Sequence, residues 1–195
     1  METQNIKKIH VLYLLCYILV PIALIVLCGW LGAVVYSAQG SLASMLMVVP
    51  TVLSFLWWTF GGRWIYHRKK ASVEKTLEEE GFTRNHTFNG GGCTVMVDVN
   101  RGQVALVFFW NPFDYFVFPV SRISKAWVDD GRHGIGFMEG SSRVSFLLLV
   151  DDVKVRVNTF TSNKRWRMDS KYILTGISKA DMMVKVLEAA GAKVG

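Results

Sequence analysis

The sequence predicts a membrane-anchored protein in two parts: a hairpin of two transmembrane helices, then a mainly antiparallel β domain with a C-terminal helix. Three observations predict this fold class. No Asp, Glu, Lys or Arg occurs from Ile9 to Gly62. Short apolar segments separated by turn residues come after that run, and an amphipathic segment over residues 178–190 follows them. The 195 residues are 51% hydrophobic, which excludes a disordered chain and is high for a soluble one.

The uncharged run can hold two spans, because a bilayer core needs about 20 apolar residues per helix. The first predicted span covers Val11–Tyr36 and the second Leu42–Trp58, extending as far as Tyr66. The polar residues Ser37–Ser41 form the only break between them. Backbone amides in lipid must be satisfied within their own segment, so both spans should be helices. We therefore predict an N-terminal tail over residues 1–10 and a hairpin over residues 11–66.

Flanking positive charge predicts the orientation of the hairpin. Lys7 and Lys8 precede the first span, and the connecting turn has no charge. Four basic residues follow the second span: Arg63, Arg68, Lys69 and Lys70. Positive residues concentrate on the cytoplasmic side, so both termini should be cytoplasmic, in a bacterial inner membrane. The same four cations are candidates for contact with anionic lipid, although determining topology would alone explain them.

The spans themselves favour anchoring over transport, because no ionisable group that could form an ion path lies within them. Gly29, Gly32 and Ala33 supply small side chains at helix-packing spacing. Helix–helix or self-association is one interpretation. The general abundance of small residues in membrane helices is the other.

The polar part begins with a juxtamembrane helix over residues 67–81, and the β domain follows over residues 82–195. Gly61-Gly62 is the predicted flexible point before the juxtamembrane helix, and Asn89–Gly92 is a predicted loop. Alternating apolar residues between turns predict strands over Thr94–Val99, Val104–Trp110, Tyr115–Val120, Ile123–Val128, Gly134–Met138, Val144–Val150 and Val153–Val157. Thr161–Tyr172 fits either an edge strand or a loop. Ser178 and Asp181 predict a capping-box-like start for the last helix.

This layout resembles the pleckstrin-homology-like fold of certain bacterial membrane proteins. The resemblance spans Phe82–Gly195. It rests on Val97-Asp98-Val99-Asn100 with Val104-Ala105-Leu106, on Phe118–Ile123 leading into Trp127, and on the terminal helix. It implies a domain that binds lipid head groups or protein segments, and it carries no particular functional residues across.

Motifs for chemistry are weak, and we predict no catalytic, cofactor or metal site. The chain has no Gly-Lys-Ser/Thr phosphate loop. His86, His133 and Cys93 lack the paired spacing of metal ligands. Cys93, His133 and Asp98 could form a nucleophile set only if the fold brought them together. Three cysteines, two of them in the apolar run, do not suggest a disulfide framework.

Two surface candidates remain in the β domain. A basic–aromatic group could bind phosphate: Lys164, Arg165, Trp166 and Arg167. A dense aromatic group exceeds what strand alternation can bury, so part of it should face a helix, the membrane or a partner: Phe109, Trp110, Phe113 and Tyr115.

The predicted function is therefore a non-enzymatic inner-membrane adaptor or accessory protein that docks a protein partner or anionic lipid, with self-association also open. Nucleic acid and small-molecule substrates are not expected. Two alternatives stay open: a mobile-element-encoded exclusion or toxin-immunity protein, and a membrane-bound enzyme of unrecognised type.

Overall fold

The computed structural model describes residues 6–35, 40–133 and 139–192. The chain divides into two compact units. The helical unit comprises Lys7–Ser72 together with the short segment Phe109–Phe113. The β unit comprises the N-terminal residues up to Ile6, Val73–Phe108 and Asp114–Gly195. Each unit is described by itself below.

The helical unit contains α1 (Val11–Val35), α2 (Gly40–Leu56) and the first part of α3 (Gly62–Glu79). α1 and α2 pack against each other. The buried Ser54 hydroxyl on α2 donates a hydrogen bond of 3.3 Å to the Pro21 carbonyl on α1. A π-helical turn over Trp57–Gly61 joins α2 to α3, and the backbone stays right-handed helical at both of its ends. The predicted flexible Gly61-Gly62 point therefore coincides with a π turn inside one continuous helix.

One N-terminal apolar helix is confirmed. Val11–Val34, within α1, is the one helix in the described residues that is long and apolar enough to cross a membrane. α2 has 17 residues, fewer than a bilayer core requires. It ends at Leu56 because the π turn follows, although the uncharged sequence continues. The second transmembrane span is not confirmed, and the predicted turn between the spans lies largely outside the described residues.

The β unit is antiparallel, as predicted. Its strands are β1 (His86–Gly90), β2 (Cys93–Asp98), β3 (Gln103–Phe108), β4 (Asn111–Pro119), β5 (Ile123–Asp129), β6 (Gly140–Val150) and β7 (Val153–Arg167). They form a four-stranded sheet in the order β1-β2-β3-β4 and a three-stranded sheet in the order β5-β6-β7. β2 pairs with β3 so that Val95 opposes Leu106, and β6 pairs with β7 so that Phe146 opposes Val157.

Several strand bounds differ from the predictions, since β4 begins at Asn111 rather than Tyr115 and β6 at Gly140 rather than Val144. The first half of the predicted loop Asn89–Gly92 belongs to β1, because Asn89 and Gly90 pair with Thr94 and Cys93, whereas Gly91 and Gly92 connect β1 to β2. The ambiguous segment after Thr161 is a strand, since β7 runs to Arg167. The predicted strand Gly134–Met138 lies outside the described residues.

Both sheets and the C-terminal helix share one hydrophobic core. The helix, α4 (Lys171–Ala189), packs against β5, β6 and β7. It begins seven residues before the predicted start at Ser178. Ser170 lies in an extended conformation and its hydroxyl accepts a hydrogen bond from the Ile173 N–H, which caps the helix. Ser178 is an exposed residue within the helix rather than its cap.

The Ser170 cap gives a first prediction. Ser170→Ala should lower the free energy of unfolding of the β unit by about 1 kcal/mol, because the Ile173 N–H loses its acceptor. Ser170→Asp should keep most of the stability, whereas Ser178→Ala should change it little. Hydrogen exchange of the first turn of α4 in the full chain measures the effect. Equal losses for Ser170→Ala and Ser178→Ala would contradict the assigned helix start.

Candidate membrane and anion-binding surfaces

Phe109–Phe113, hereafter the aromatic segment, is bound to the chain just before α1. The His10 N–H donates a hydrogen bond of 2.9 Å to the Trp110 carbonyl. The Asn111 side-chain amide donates one of 2.7 Å to the Lys7 carbonyl, and Asn111 is buried. Two hydrogen bonds therefore fix the aromatic segment at the N-terminal end of the apolar helix.

The rings of the aromatic segment pack against tyrosines of the helices. Phe113 lies 5.5 Å from Tyr13 in an edge-to-face arrangement. Trp110 lies 5.7 Å from Tyr17, also edge-to-face. Phe109 lies 5.4 Å from Tyr66, and a side chain on Gly62 would crowd both Phe109 and Tyr17. Edge-to-face pairs at these distances are favourable beyond their apolar burial. Three of the four predicted partner-surface residues thus have ring partners within the helical unit.

Tyr115, the fourth of those residues, lies in the β unit. Its hydroxyl donates a hydrogen bond of 3.2 Å to the Glu80 carboxylate. Burial raises the pKa of Tyr115 above its ordinary value, and the negative charge and hydrogen bond of Glu80 raise it further. The contact ties β4 to the residue that follows α3.

This contact predicts a pH dependence at alkaline pH. The folded state holds the Tyr115 proton more tightly than the unfolded state, so the stabilisation is present below about pH 10 and is lost as pH rises through the raised pKa. Glu80→Gln should shift this titration to lower pH. Tyrosinate absorbance, with Tyr115→Phe subtracted to isolate the residue and Glu79→Gln as the control, measures it. An unchanged titration in Glu80→Gln would refute the assigned coupling.

The four cations after the second predicted span surround α3. Successive helical residues are separated by about 100°, so Arg63 and Lys70 share one face while Arg68 and Lys69 point elsewhere. Two of the cations lie over aromatic rings: the Arg68 guanidinium is 5.4 Å from the Trp64 ring centre, and the Lys69 ammonium is 5.2 Å from that of Phe113. Cations distributed around a helix, two of them over aromatic rings, suit a helix that crosses a headgroup layer.

The second basic group lies in a bulge of β7. Ser141 opposes Trp166 and Arg143 opposes Thr161, so the residues of β7 from Ser162 to Arg165 face a single residue of β6. The Ser162 hydroxyl oxygen accepts hydrogen bonds of 3.1 Å from the Lys164 N–H and 3.0 Å from the Trp166 indole N–H. The bulge is therefore an ordered turn built around one serine.

The bulged residues and the two paired residues after them, Ser162–Arg167, are hereafter called the β7 bulge. Its three cations are exposed. In the described residues neither Lys164 nor Arg165 forms an ion pair. Arg167 pairs with Asp169 at 3.0 Å, but both side chains are largely exposed and such pairs contribute little. Trp166 is half-buried, with its ring 4.6 Å from that of Tyr172. The arrangement presents three cations beside an anchored aromatic ring, which suits a phosphate group.

The predicted helix-packing residues do not share one environment. Gly32 is buried and Gly29 is half-buried, whereas Ala33 is exposed. Nothing lies within 4 Å of where a Cβ of Gly29 would be. Their role in association between helices stays a prediction.

Two of the three residues considered as a nucleophile set, Cys93 and Asp98, lie apart on one strand, and the third, His133, is bridged to Gly140 instead. Cys93 and Asp98 occupy opposite ends of β2, which separates them by about 16 Å. Asp98 is buried and accepts hydrogen bonds from the Thr83 N–H at 2.7 Å and the Arg101 N–H at 3.0 Å, so it stabilises a turn. Across residues 6–35, 40–133 and 139–192, His, Cys, Asp and Glu form no group of three that could hold a metal ion.

Comparison with protein-family models, curated proteins and solved structures finds no match.

Two features escaped the sequence analysis. His10 caps α1, because its Nδ1 accepts a hydrogen bond of 3.1 Å from the Tyr13 N–H. On β5 and β7, the ammonium groups of Lys125 and Lys154 lie 5.6 and 5.4 Å from the centre of the Trp127 ring. Alternation along β5 places Lys125 and Trp127 on one face. Lys154 joins them only through β6, because Leu149 opposes both Lys125 on β5 and Lys154 on β7.

Proposed function

We propose that this chain is a non-enzymatic adaptor of the bacterial inner membrane. In this proposal α1 and the helix that begins with α2 form a two-span anchor, with both termini cytoplasmic. The β domain has a pleckstrin-homology-like fold and binds the headgroups of anionic lipids.

The second span is supported by helix continuity. Helical backbone continues from Gly40 through the π turn to Glu79, and the sequence carries no charged side chain until Arg63. Residues 40–62 together exceed the length that a bilayer core requires. Cations flank the hairpin at Lys7, Lys8 and α3, which favours cytoplasmic ends.

The pleckstrin-homology-like assignment is supported by strand order. A meander of four strands, a second meander of three strands and one C-terminal helix follow each other along the chain, as in that fold. The helix contributes apolar residues such as Ile173 and Leu187 to the core of the sheets.

The exposed cations of the β7 bulge are the observation that favours anionic lipid as the ligand. Lys164 and Arg165 are exposed and form no ion pair among the described residues, and Trp166 beside them is held by Ser162 and Tyr172. The phosphates of anionic lipids attract lysine and arginine, and tryptophan is favoured at the membrane interface. Anionic lipid therefore complements both the cations and the Trp166 ring of the β7 bulge. A membrane anchor on the same chain keeps such lipids at high local concentration.

The test uses the full chain in lipid nanodiscs of phosphatidylcholine alone or with phosphatidylglycerol. Hydrogen exchange of the peptides that cover the β7 bulge should be several-fold slower in the anionic discs, and added salt should reverse the protection because screening weakens the attraction. Lys164→Gln with Arg165→Gln and Arg167→Gln should abolish the difference. Lys179→Gln, an exposed cation on α4, is the matched control.

Equal exchange in both kinds of disc would refute lipid binding. Protection that appears only when a cytoplasmic protein is added would assign the β7 bulge to a protein partner instead. Because exchange is measured peptide by peptide, protection near the α3 cations cannot be mistaken for protection of the bulge.

A further inference from the structure

The aromatic segment lies beside the first turns of the apolar helix. Its backbone is fixed to Lys7 and His10, and α1 begins at the next residue, Val11. Trp110 contacts the ring of Tyr17, which is about 9 Å further along the helix than Val11. Phe113 contacts Tyr13, about 3 Å along. The two side chains therefore lie alongside the stretch where α1 enters the hydrocarbon.

Trp110 and Phe113 keep a large apolar surface despite these contacts. They are 37% and 47% exposed in the chain alone. Neighbouring residues of α1 are exposed to a similar or greater degree, with Leu12 at 65% and Leu15 at 47%. On a helix that crosses a membrane, lipid covers such side chains. Large exposed apolar side chains of this kind need a partner, and where α1 crosses the membrane the bilayer is the one adjacent to them.

The cations and aromatic rings around the segment match the order of groups at a membrane interface. The Lys69 ammonium lies over the Phe113 ring and the Arg68 guanidinium over Trp64. Tyr17, which contacts Trp110, also donates a hydrogen bond of 2.6 Å to the Trp58 carbonyl and packs its ring against Trp57 of the π turn. Aromatic side chains concentrate at headgroup level, with lysine and arginine reaching the phosphates.

We infer that Trp110 and Phe113 insert into the interfacial layer of the leaflet where α1 begins, so that the aromatic segment, which joins β3 to β4 and includes the first residues of β4, is a membrane-contacting element beyond the helices. The occupant of this surface is the bilayer itself. The inference rests on α1 crossing the membrane, as in the proposed function, but not on lipid binding by the β7 bulge. It reassigns two of the predicted partner-surface residues from a protein partner to lipid.

The test places the photoreactive amino acid p-benzoyl-phenylalanine at single positions of the full chain in lipid nanodiscs. Phe113 and Trp110 are the test positions. Ile22, exposed in the middle of α1, is the positive control. Met182, which is exposed on α4 to about the same degree as Phe113, is the negative control. After illumination, mass spectrometry counts chains that gain the mass of one phospholipid.

Lipid adducts at Phe113 and Trp110, approaching the yield at Ile22 and at least about tenfold above that at Met182, are the expected result. Adducts at Ile22 without adducts at the two test positions would overturn this inference and leave the membrane anchor intact. Absence of adducts at Ile22 would overturn the anchor as well. Cross-links from the test positions to another polypeptide would assign the segment to a protein partner and also overturn the inference.

A folding control separates insertion from local rearrangement. Asn111→Ala removes the hydrogen bond to the Lys7 carbonyl while leaving both test positions in the chain. It should lower the adduct yield at Phe113 several-fold and leave the yield at Ile22 unchanged. An unchanged yield at Phe113 would contradict the claim that attachment to the start of α1 sets its position.

Discussion

Phe146→Ala should remove about 3–5 kcal/mol from the free energy of unfolding of the β unit. Phe146 is completely buried on β6, the central strand of its sheet, where it opposes Val128 on β5 and Val157 on β7. The substitution loses the apolar burial of the ring and leaves a cavity. The cavity stays open because the strands on both sides of β6 hold the backbone in place. Domains of this size are stable by about 5–15 kcal/mol, so the loss is a large share of the total.

The measurement is hydrogen exchange of β5–β7 in the full chain, which reports the opening of the β unit separately from the helices. Phe146→Leu is the matched control, because it keeps most of the apolar volume and should cost about 1–2 kcal/mol. A loss below about 1 kcal/mol for Phe146→Ala would mean that Phe146 is not in the core.

Local patterns predicted most strands because each has alternating apolar residues between turn residues. β1 was missed for a physical reason. Gly90 and Gly91 read as a loop, yet they let the backbone approach β7 closely: the Gly91 N–H donates a hydrogen bond of 3.0 Å to the Asn158 carbonyl. A Cβ on Gly90 would collide with the Val157 side chain. Glycine in a strand often marks such an approach, and its partner strand cannot be read from local sequence.

The start of α4 shows that a short capping pattern can match at a position where no helix begins. Ser178 with Asp181 matches a capping box, and Ser170 does not, yet Ser170 caps the helix. What decides the start is the position of Ile173 and Gly176 against the sheets, because helices in proteins are stabilised mostly by packing. Packing of that kind depends on residues distant in the chain.

For the candidate surfaces too, the sequence predicted which residues belong to them but not which distant residues they contact. Composition identified the aromatic group and predicted that half of it needs a partner beyond the strand. The ring partners Tyr13 and Tyr17 lie about a hundred residues away in the sequence, so no spacing rule could name them. The cations of the β7 bulge were identified by composition alone, while their outward presentation depends on the Ser162 turn.

The second large effect is expected at Gly176, where α4 lies closest to the sheet. A Cβ on Gly176 would be 2.8 Å from the Phe160 Cβ on β7 and 3.3 Å from the Val144 Cβ on β6. The Gly176 carbonyl also accepts a hydrogen bond of 2.8 Å from the Thr159 hydroxyl. Both Cβ atoms are rigidly attached to strands, so the helix would have to move away from the sheet. Gly176→Val should therefore cost about 3 kcal/mol or more.

Gly176→Ala decides whether close packing or helix propensity dominates at this position. Alanine is favoured over glycine within a helix by about 1 kcal/mol, so on a free helix face this substitution would stabilise the protein. The short distance to Phe160 predicts the opposite sign, a net loss of about 1–3 kcal/mol. Thr175→Ala is the control, because Thr175 is exposed on α4 one residue earlier. It gains helix propensity without approaching the sheet, so it should be neutral or stabilising. Hydrogen exchange of α4 in the full chain distinguishes these outcomes, and stabilisation by Gly176→Ala would show that α4 and the sheet are not in close contact there.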